Sequence, residues 1–431
     1  MTTRAQIAGC LAAAVLSVVG CHTPKPVTPI PPPRPPAPAP DLPATTPVPV
    51  EPDYRTLPST DPLGKLGKPA GTSFRALSEE ECRRSAVAHT ALADVLEGEN
   101  DVPSPAPATR RHPHKKDPEA AKAAAVDALF RELRTHAAEE TRNRSAADAL
   151  EQFFRLADAE GRGELMRAAL PTLDQLREAV AKARATGVRV PVEPDELDRQ
   201  RASFVGTLAQ ADLGVELLNI DLKRRTGLPA GGDRLWPTGS FAVADSPIDV
   251  ESAVQVALAN RPDLKFLRAA YLGLTPDTLP TVREILRTKA TDVAGRAGPA
   301  QAAAKGVLPY LSHSGSKCDP NDAAELEVRR RQLYTLIADR ERAAADETRA
   351  AAAMLAAQGK QVALARWRAD RANAKLPDAK KAGPFVELPA VLEAHRARAD
   401  VIAAVMAWHQ ARVKLAAAQG LLAGGTPESP K

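Results

Sequence analysis

Residues 194–231 read PDELDRQRASFVGTLAQADLGVELLNIDLKRRTGLPAG. Within them Leu197, Phe204, Leu208, Ala211, Val215, Leu218 and Leu222 recur at alternating steps of three and four, with Arg201 filling one slot. That period draws one narrow apolar stripe along an α-helix, the seam of a coiled coil. Pro194 and Asp195 suit the first helical turn, and Gly227-Leu228-Pro229 ends the run. Upstream, Gly187-Val188-Arg189-Val190-Pro191 interrupts a helical pattern reaching from Glu119 to Thr186, so the two segments form a tight helical hairpin.

The outgoing arm carries Leu129, Leu133, Leu150, Phe154, Leu165, Leu173, Leu176 and Val180 among Ala and charged residues. At about 1.5 Å per residue it is a rod of roughly 100 Å. Pro171 and the pair Gly161 and Gly163 are expected to bend it or loosen a turn. Ser78, followed by Glu79, Glu80 and Glu81, opens an earlier helix expected to reach about Glu99.

A shift of 193 residues lays Pro191 on Pro384, Leu222 on Leu415 and Gly227 on Gly420. The seam survives it as Ala394, Ala397, Val401, Ala404, Trp408, Ala411 and Leu415. Residues 249–272 mirror the helix that begins at Ser78. Residues 322–373 mirror the long rod, with Leu336, Ala343, Ala350, Ala357 and Leu364 spaced by seven. Two copies of one helical unit are expected at 76–231 and 248–424, joined by a linker at 232–247 and followed by a tail at 425–431. The fold class is all-α: elongated antiparallel hairpins in two tandem repeats.

Composition agrees. In 431 residues only 3% are aromatic, too little large apolar surface for big globular cores or for the aromatic girdles of a self-sufficient β-barrel. The 58 Lys and Arg against 53 Asp and Glu leave +5, without the basic stripe that nucleic acid requires. The N-terminus reads as an export signal, residues 1–20: Arg4, then an apolar run from Ile7 to Val19 too short to span a bilayer. Val18-Val19-Gly20-Cys21 resembles a bacterial lipobox, which makes Cys21 the lipidated residue and places the chain on a membrane, the outer one by sorting analogy. Cys10 leaves with the signal, and spacing alone does not pair Cys82 with Cys318. Residues 21–75, dense in Pro, read as an extended tether.

Residues 250–264 (VESAVQVALANRPDL), the return ending at Leu222-Lys-Arg-Arg-Thr-Gly-Leu-Pro229 and the terminal Leu415-Ala-Ala-Ala-Gln-Gly420 resemble the TolC-type outer-membrane efflux protein family. That resemblance implies a homotrimer whose hairpins close an α-helical tunnel, with hairpin tips that meet a periplasmic adaptor and an inner-membrane pump. The tips correspond to Gly187, Val190, Pro191 and Pro194 in the first repeat and to the stretch 374–389, with Pro384 and Pro389, in the second. The family's barrel strands fall at about 101–117 and 275–321. The first insert is too short for a membrane hairpin and rich in Pro and basic residues, and the second lacks alternation, so the barrel is expected to be absent or reduced.

Other candidates have plainer readings. His112 and His114 lie amid Arg110, Arg111, Lys115 and Lys116, which suits a solvated basic loop better than a metal site. Glu79 to Glu81 suit a helix dipole, and Trp367 and Trp408 suit packing. No phosphate loop, nucleophile elbow or zinc-protease pattern occurs, so no catalysis, metal or cofactor is expected. The alternative to a channel is a non-transporting periplasmic structural or adaptor lipoprotein.

Overall fold

A computed structural model describes residues 73–101, 118–190, 193–243, 247–292 and 320–424. In chain order the elements are β1 (Phe74–Ser78), α1 (Glu79–Ala88), α2 (Ala91–Asp101), α3 (Pro118–Ala185), α4 (Pro194–Thr226) and β2 (Arg234–Thr238). They continue with α5 (Val250–Asn260), α6 (Pro262–Leu272), α7 (Leu279–Asp292), α8 (Pro320–Ala382) and α9 (Pro384–Ala418). The series α1, α2, α3, α4 recurs as α5, α6, α8, α9. No helix among the described residues is long and apolar enough to cross a membrane.

The seams read from sequence face their partners. Leu197, Val215 and Leu222 of α4 are buried against α3, and Ala394, Ala397, Trp408, Ala411 and Leu415 of α9 are buried between α8 and α3. Contacts run in the order α4, α3, α9, α8, so α4 and α8 are the outer members. With so few aromatics the described residues build four separate apolar clusters rather than one core.

Several expectations are corrected. Helix α3 runs through Gly161, Gly163 and Pro171 without the loosened turn expected there, because packing on both flanks outweighs the one backbone hydrogen bond that proline removes. The helix expected over 78–99 is broken at His89 and Thr90. There the Thr90 hydroxyl donates to the Ala86 carbonyl (2.8 Å) and the His89 imidazole pairs with the Ser85 carbonyl (2.8 Å), closing α1. Its counterpart breaks at Arg261, before Pro262, where the helical conformation is sterically disfavoured. The sequence stripe on α8 is off by one position: Ala344, Ala351, Ala365, Ala372 and Ala379 line the buried seam, whereas Leu364 is exposed.

Two strands escaped the sequence reading. β1 pairs in parallel with β2, Phe74 opposite Arg234 and Ser78 opposite Thr238. β1 begins inside the segment read as tether, and β2 lies inside the segment read as linker. Asn219 of α4 fixes β2, accepting from the Leu235 amide (3.2 Å) and donating to its carbonyl (3.4 Å). Two strands of five residues carry too little pattern to be read without that anchor.

The ends of α4 and α9 show the internal symmetry directly. Gly227 (φ +66°) and Gly420 (φ +72°) are left-handed caps, each followed by a six-to-one bond: the Leu228 amide to the Lys223 carbonyl (2.9 Å) and the Leu421 amide to the Ala416 carbonyl (3.0 Å). Each cap lies on the break of its own repeat, Gly227 on the His89 ring and Gly420 on Arg261. A Cβ at Gly420 would stand 2.9 Å from Arg261 Cα and 3.1 Å from the Asn260 carbonyl oxygen, backbone atoms that cannot swing aside as a ring can. Gly420→Ala is therefore expected to cost about 2 kcal/mol from the left-handed backbone and overlap together. Urea unfolding followed by circular dichroism checks it, and a cost under 0.5 kcal/mol would refute the close approach.

Candidate functional site

The hairpin tips are the place the resemblance singles out. At the first, α3 ends in a Schellman cap: the Gly187 amide donates to the Arg184 carbonyl (2.9 Å) and the Val188 amide to the Ala183 carbonyl (2.9 Å), with Gly187 at φ +75°. Glu193 flanks the start of α4, Pro194 takes the first helical position, and Arg184 clasps Glu193 at 2.5 Å. The second tip is far shorter than the stretch 374–389 expected. Helix α8 continues through Pro377 to Ala382, Gly383 alone makes the turn at φ +94°, and Pro384 starts α9. Pro389 is not in the turn but inside α9. Cys21, Pro191, Cys318, His112 and His114 lie outside the described residues.

Both tips are tied into one apolar cluster. Leu173, Leu176 and Val180 of α3 and Leu197 of α4 are buried, and Val190 from the first tip packs on them together with Phe385, Leu388 and Leu392 from the start of α9. Farther from the turn, ion pairs lace the first hairpin: Arg177 with Asp198 (2.6 Å), Arg201 with Asp174 (2.6 Å), and Arg167 with Asp212. The second hairpin has Lys375 with Glu393 (3.1 Å) and otherwise relies on Ala369, Ala372, Ala394 and Ala397. Exposed pairs of this kind are each worth about 0.2–1 kcal/mol, so they set register more than stability. Opposite charges placed evenly about the turn carried that signal in the sequence.

Both outer helices leave large apolar side chains exposed, and on α4 they fall on one face. On α4, Val205, Leu213, Leu217 and Ile220 are exposed, turned away from the seam on α3. On α8, Val328, Tyr334, Met354, Leu364 and Trp367 are exposed. The packing role expected for Trp408 holds, since it is buried, but Trp367 is 56% exposed beneath the Arg371 guanidinium, 5.4 Å from its ring centre. Helix α4, with one apolar stripe on α3 and another in solvent, has a face left over after the protomer has folded.

At the other end of the helices lie two buried polar features that sequence reasoning missed. Asp263 accepts both arms of the Arg261 guanidinium (3.1 Å each) and the Arg340 Nε (2.6 Å), while Glu347 accepts from Arg261 (2.5 Å) and Arg340 (3.1 Å). Burial alone would raise the Asp263 carboxyl, but these guanidiniums hold it down at about 2. His409 is buried in an aromatic group, stacked on Phe154 (4.9 Å, 11°) and edge-on to Trp408 (4.9 Å) and Phe241 (5.9 Å). Burial, with the nearby Arg412 charge, pushes the imidazole down to about 3.

Glu79, Glu80 and Glu81 form the first turn of α1 beneath the Ser78 cap and are paired with Arg412, Arg83 and Arg75 respectively. Cys82 is buried and free, its thiol raised to about 12 by burial and by Glu79 and Glu81. Among the described residues no group of three or more His, Cys, Asp or Glu is placed to hold a metal ion.

The chain resembles solved outer-membrane proteins in fold. VceC, an outer-membrane protein of Vibrio cholerae, aligns with a TM-score of 0.52 at 10% identity over 79% of this chain and 96% of that one. The open state of the Neisseria gonorrhoeae MtrE outer-membrane channel aligns at 0.50 and 13% identity, over 79% and 86%. CusC, described for its transmembrane channel formation, aligns at 0.50 and 12% identity, over 80% and 96%. No family model and no curated protein matches the sequence. The helical fold expected from the TolC-type resemblance is the fold observed.

Proposed function

We propose that the chain is the protomer of a TolC-like outer-membrane lipoprotein channel of an efflux or secretion system, lipidated at Cys21. The observation that carries this reading is the leftover stripe of Val205, Leu213, Leu217 and Ile220 on α4, with Met354, Leu364 and Trp367 exposed on the opposite outer helix, α8. Burying one against the other in the next copy joins unlike surfaces, a heterologous contact that closes into a ring when the rotation fits. Three copies of four long helices each then make a twelve-helix tunnel, and cargo passes along it with no residue doing chemistry. Gly187, Val190, Pro194 and Pro384, with Pro191, present the tips to an adaptor and an inner-membrane pump. The apolar cluster shared by both tips resists opening, so the partner's differential contact has to supply the energy.

Two measurements test this. The purified lipidated chain should size as a trimer and give stepwise conductance in planar bilayers; a trimer without conductance overturns the pore. Leu217→Asp, at an exposed position whose loss leaves the protomer folded, should convert trimer to monomer in light scattering and abolish conductance. An unchanged trimer would remove the stripe from the interface.

One observation favours the rival, a non-transporting structural lipoprotein. The described start of the second insert is helix α7, with Leu279, Val282, Ile285 and Leu286 buried in the cluster that includes Leu333 and Ile337 of α8, not a strand. Residues 102–117 and 293–319 of the two inserts lie outside the described residues. Trimers with no conductance and almost wholly helical circular dichroism would decide for this rival.

A further inference from the structure

Helices α4 and α9 both lie on α3 and diverge above it, leaving a groove of about 890 Å³. Its floor is apolar, with Leu173, Leu176 and Leu197 buried beneath, and Phe204 and Leu392 half-buried and Pro389 exposed along the walls. Its rim is polar and unevenly matched. Glu196 is taken up by Arg199 (2.8 Å) and Gln200 (3.1 Å), and Glu393 by Lys375 (3.1 Å). On the rim Arg396 has no ion pair or hydrogen bond among the described residues; Arg398, which is not part of the groove lining, reaches only the neutral Asn373 amide (3.5 Å). Between these guanidiniums His395 keeps its Nδ1 shielded from solvent with no hydrogen-bond partner. Burial, with the Arg398 charge, lowers the imidazole, so at neutral pH it is an uncharged donor or acceptor.

Each element asks for the same ligand. A groove of 300–1,000 Å³ with an apolar floor and few polar groups is of small-molecule size. Unmatched guanidiniums choose an anionic head. We propose that this groove binds an anionic amphiphile, its apolar body on the leucine floor and its carboxylate or sulfonate head between Arg396 and His395. This site does not depend on pore formation.

The test is calorimetric titration of 1-decanesulfonate, below its micelle threshold, into the full chain held in lipid nanodiscs, with empty discs as blank. One saturable site is expected in the wild type. Arg396→Glu should weaken it at least tenfold. Ser203→Trp, an exposed position on the α4 wall where indole fills the groove, should abolish it. Both variants should keep the wild-type helical circular dichroism, so that loss of binding is not loss of fold. Decyltrimethylammonium should bind at least tenfold more weakly than the sulfonate. The proposal is overturned by no saturable heat beyond the blank, as a groove serving only as a bed for a partner helix would give. Affinity unchanged in both folded variants, or equal for the cationic analogue, overturns it as well.

Discussion

Asp263→Ala is expected to cost the chain about 3–5 kcal/mol of folding stability, because it leaves Arg261 buried without its bidentate acceptor. Arg340 loses its 2.6 Å partner at the same time, and Glu347, which is half exposed, cannot replace both. The penalty belongs to the stranded charge rather than to the pair. Arg261→Met with Asp263→Leu, which removes charge and countercharge together, should therefore recover most of it. Urea unfolding at pH 7 measures both, and a single variant within 1 kcal/mol of wild type would refute the account. The pH dependence has a definite sign. The carboxyl lies at about 2 in the folded chain and near 3.9 when unfolded, so its contribution is complete above pH 4 and disappears as pH falls toward 2.

The second large effect runs through a neutral group. His409 lies at about 3 when folded and near 6.5 when unfolded, so below pH 6.5 the unfolded chain takes up a proton that the folded chain refuses. Stability is lost as pH falls, by about 1.4 kcal/mol per unit, until the folded value is reached. His409→Phe keeps the stack on Phe154 and has no proton to take. Its advantage over wild type should grow by roughly 3 kcal/mol between pH 7 and pH 4. Parallel unfolding midpoints for wild type and variant across that range would show that His409 is not the titrating group.

These two sites mark the limit of what residue order discloses. Pro262 explains the break between α5 and α6, but in the sequence 249–272 reads as one helix, which gives Arg261 and Asp263 no role. Nothing near them in sequence announces Arg340 or Glu347, some eighty residues on. His409 lies next to the seam position Trp408 and is not marked by the period at all. The tips were legible from Gly187, Pro194 and Pro384, but the 374–389 turn was not. A proline inside a helix costs about 3 kcal/mol locally, and burial of the neighbouring Ala379 and Leu392 overrides it in α8 and α9.

Sequence by itself determined the helical class, the two hairpins, the duplicated caps at Gly227 and Gly420, and one seam on each return helix, because these rest on contacts between residues three, four or seven apart. Tertiary structure alone decided the rest. It set which of two adjacent stripes on α8 faces inward, which helices lie outermost with apolar faces uncovered, and where β1 finds β2. It also joined four distant side chains into one ionic cluster. Those outcomes depend on which surfaces meet after the chain has turned back, and a local period carries no record of that choice.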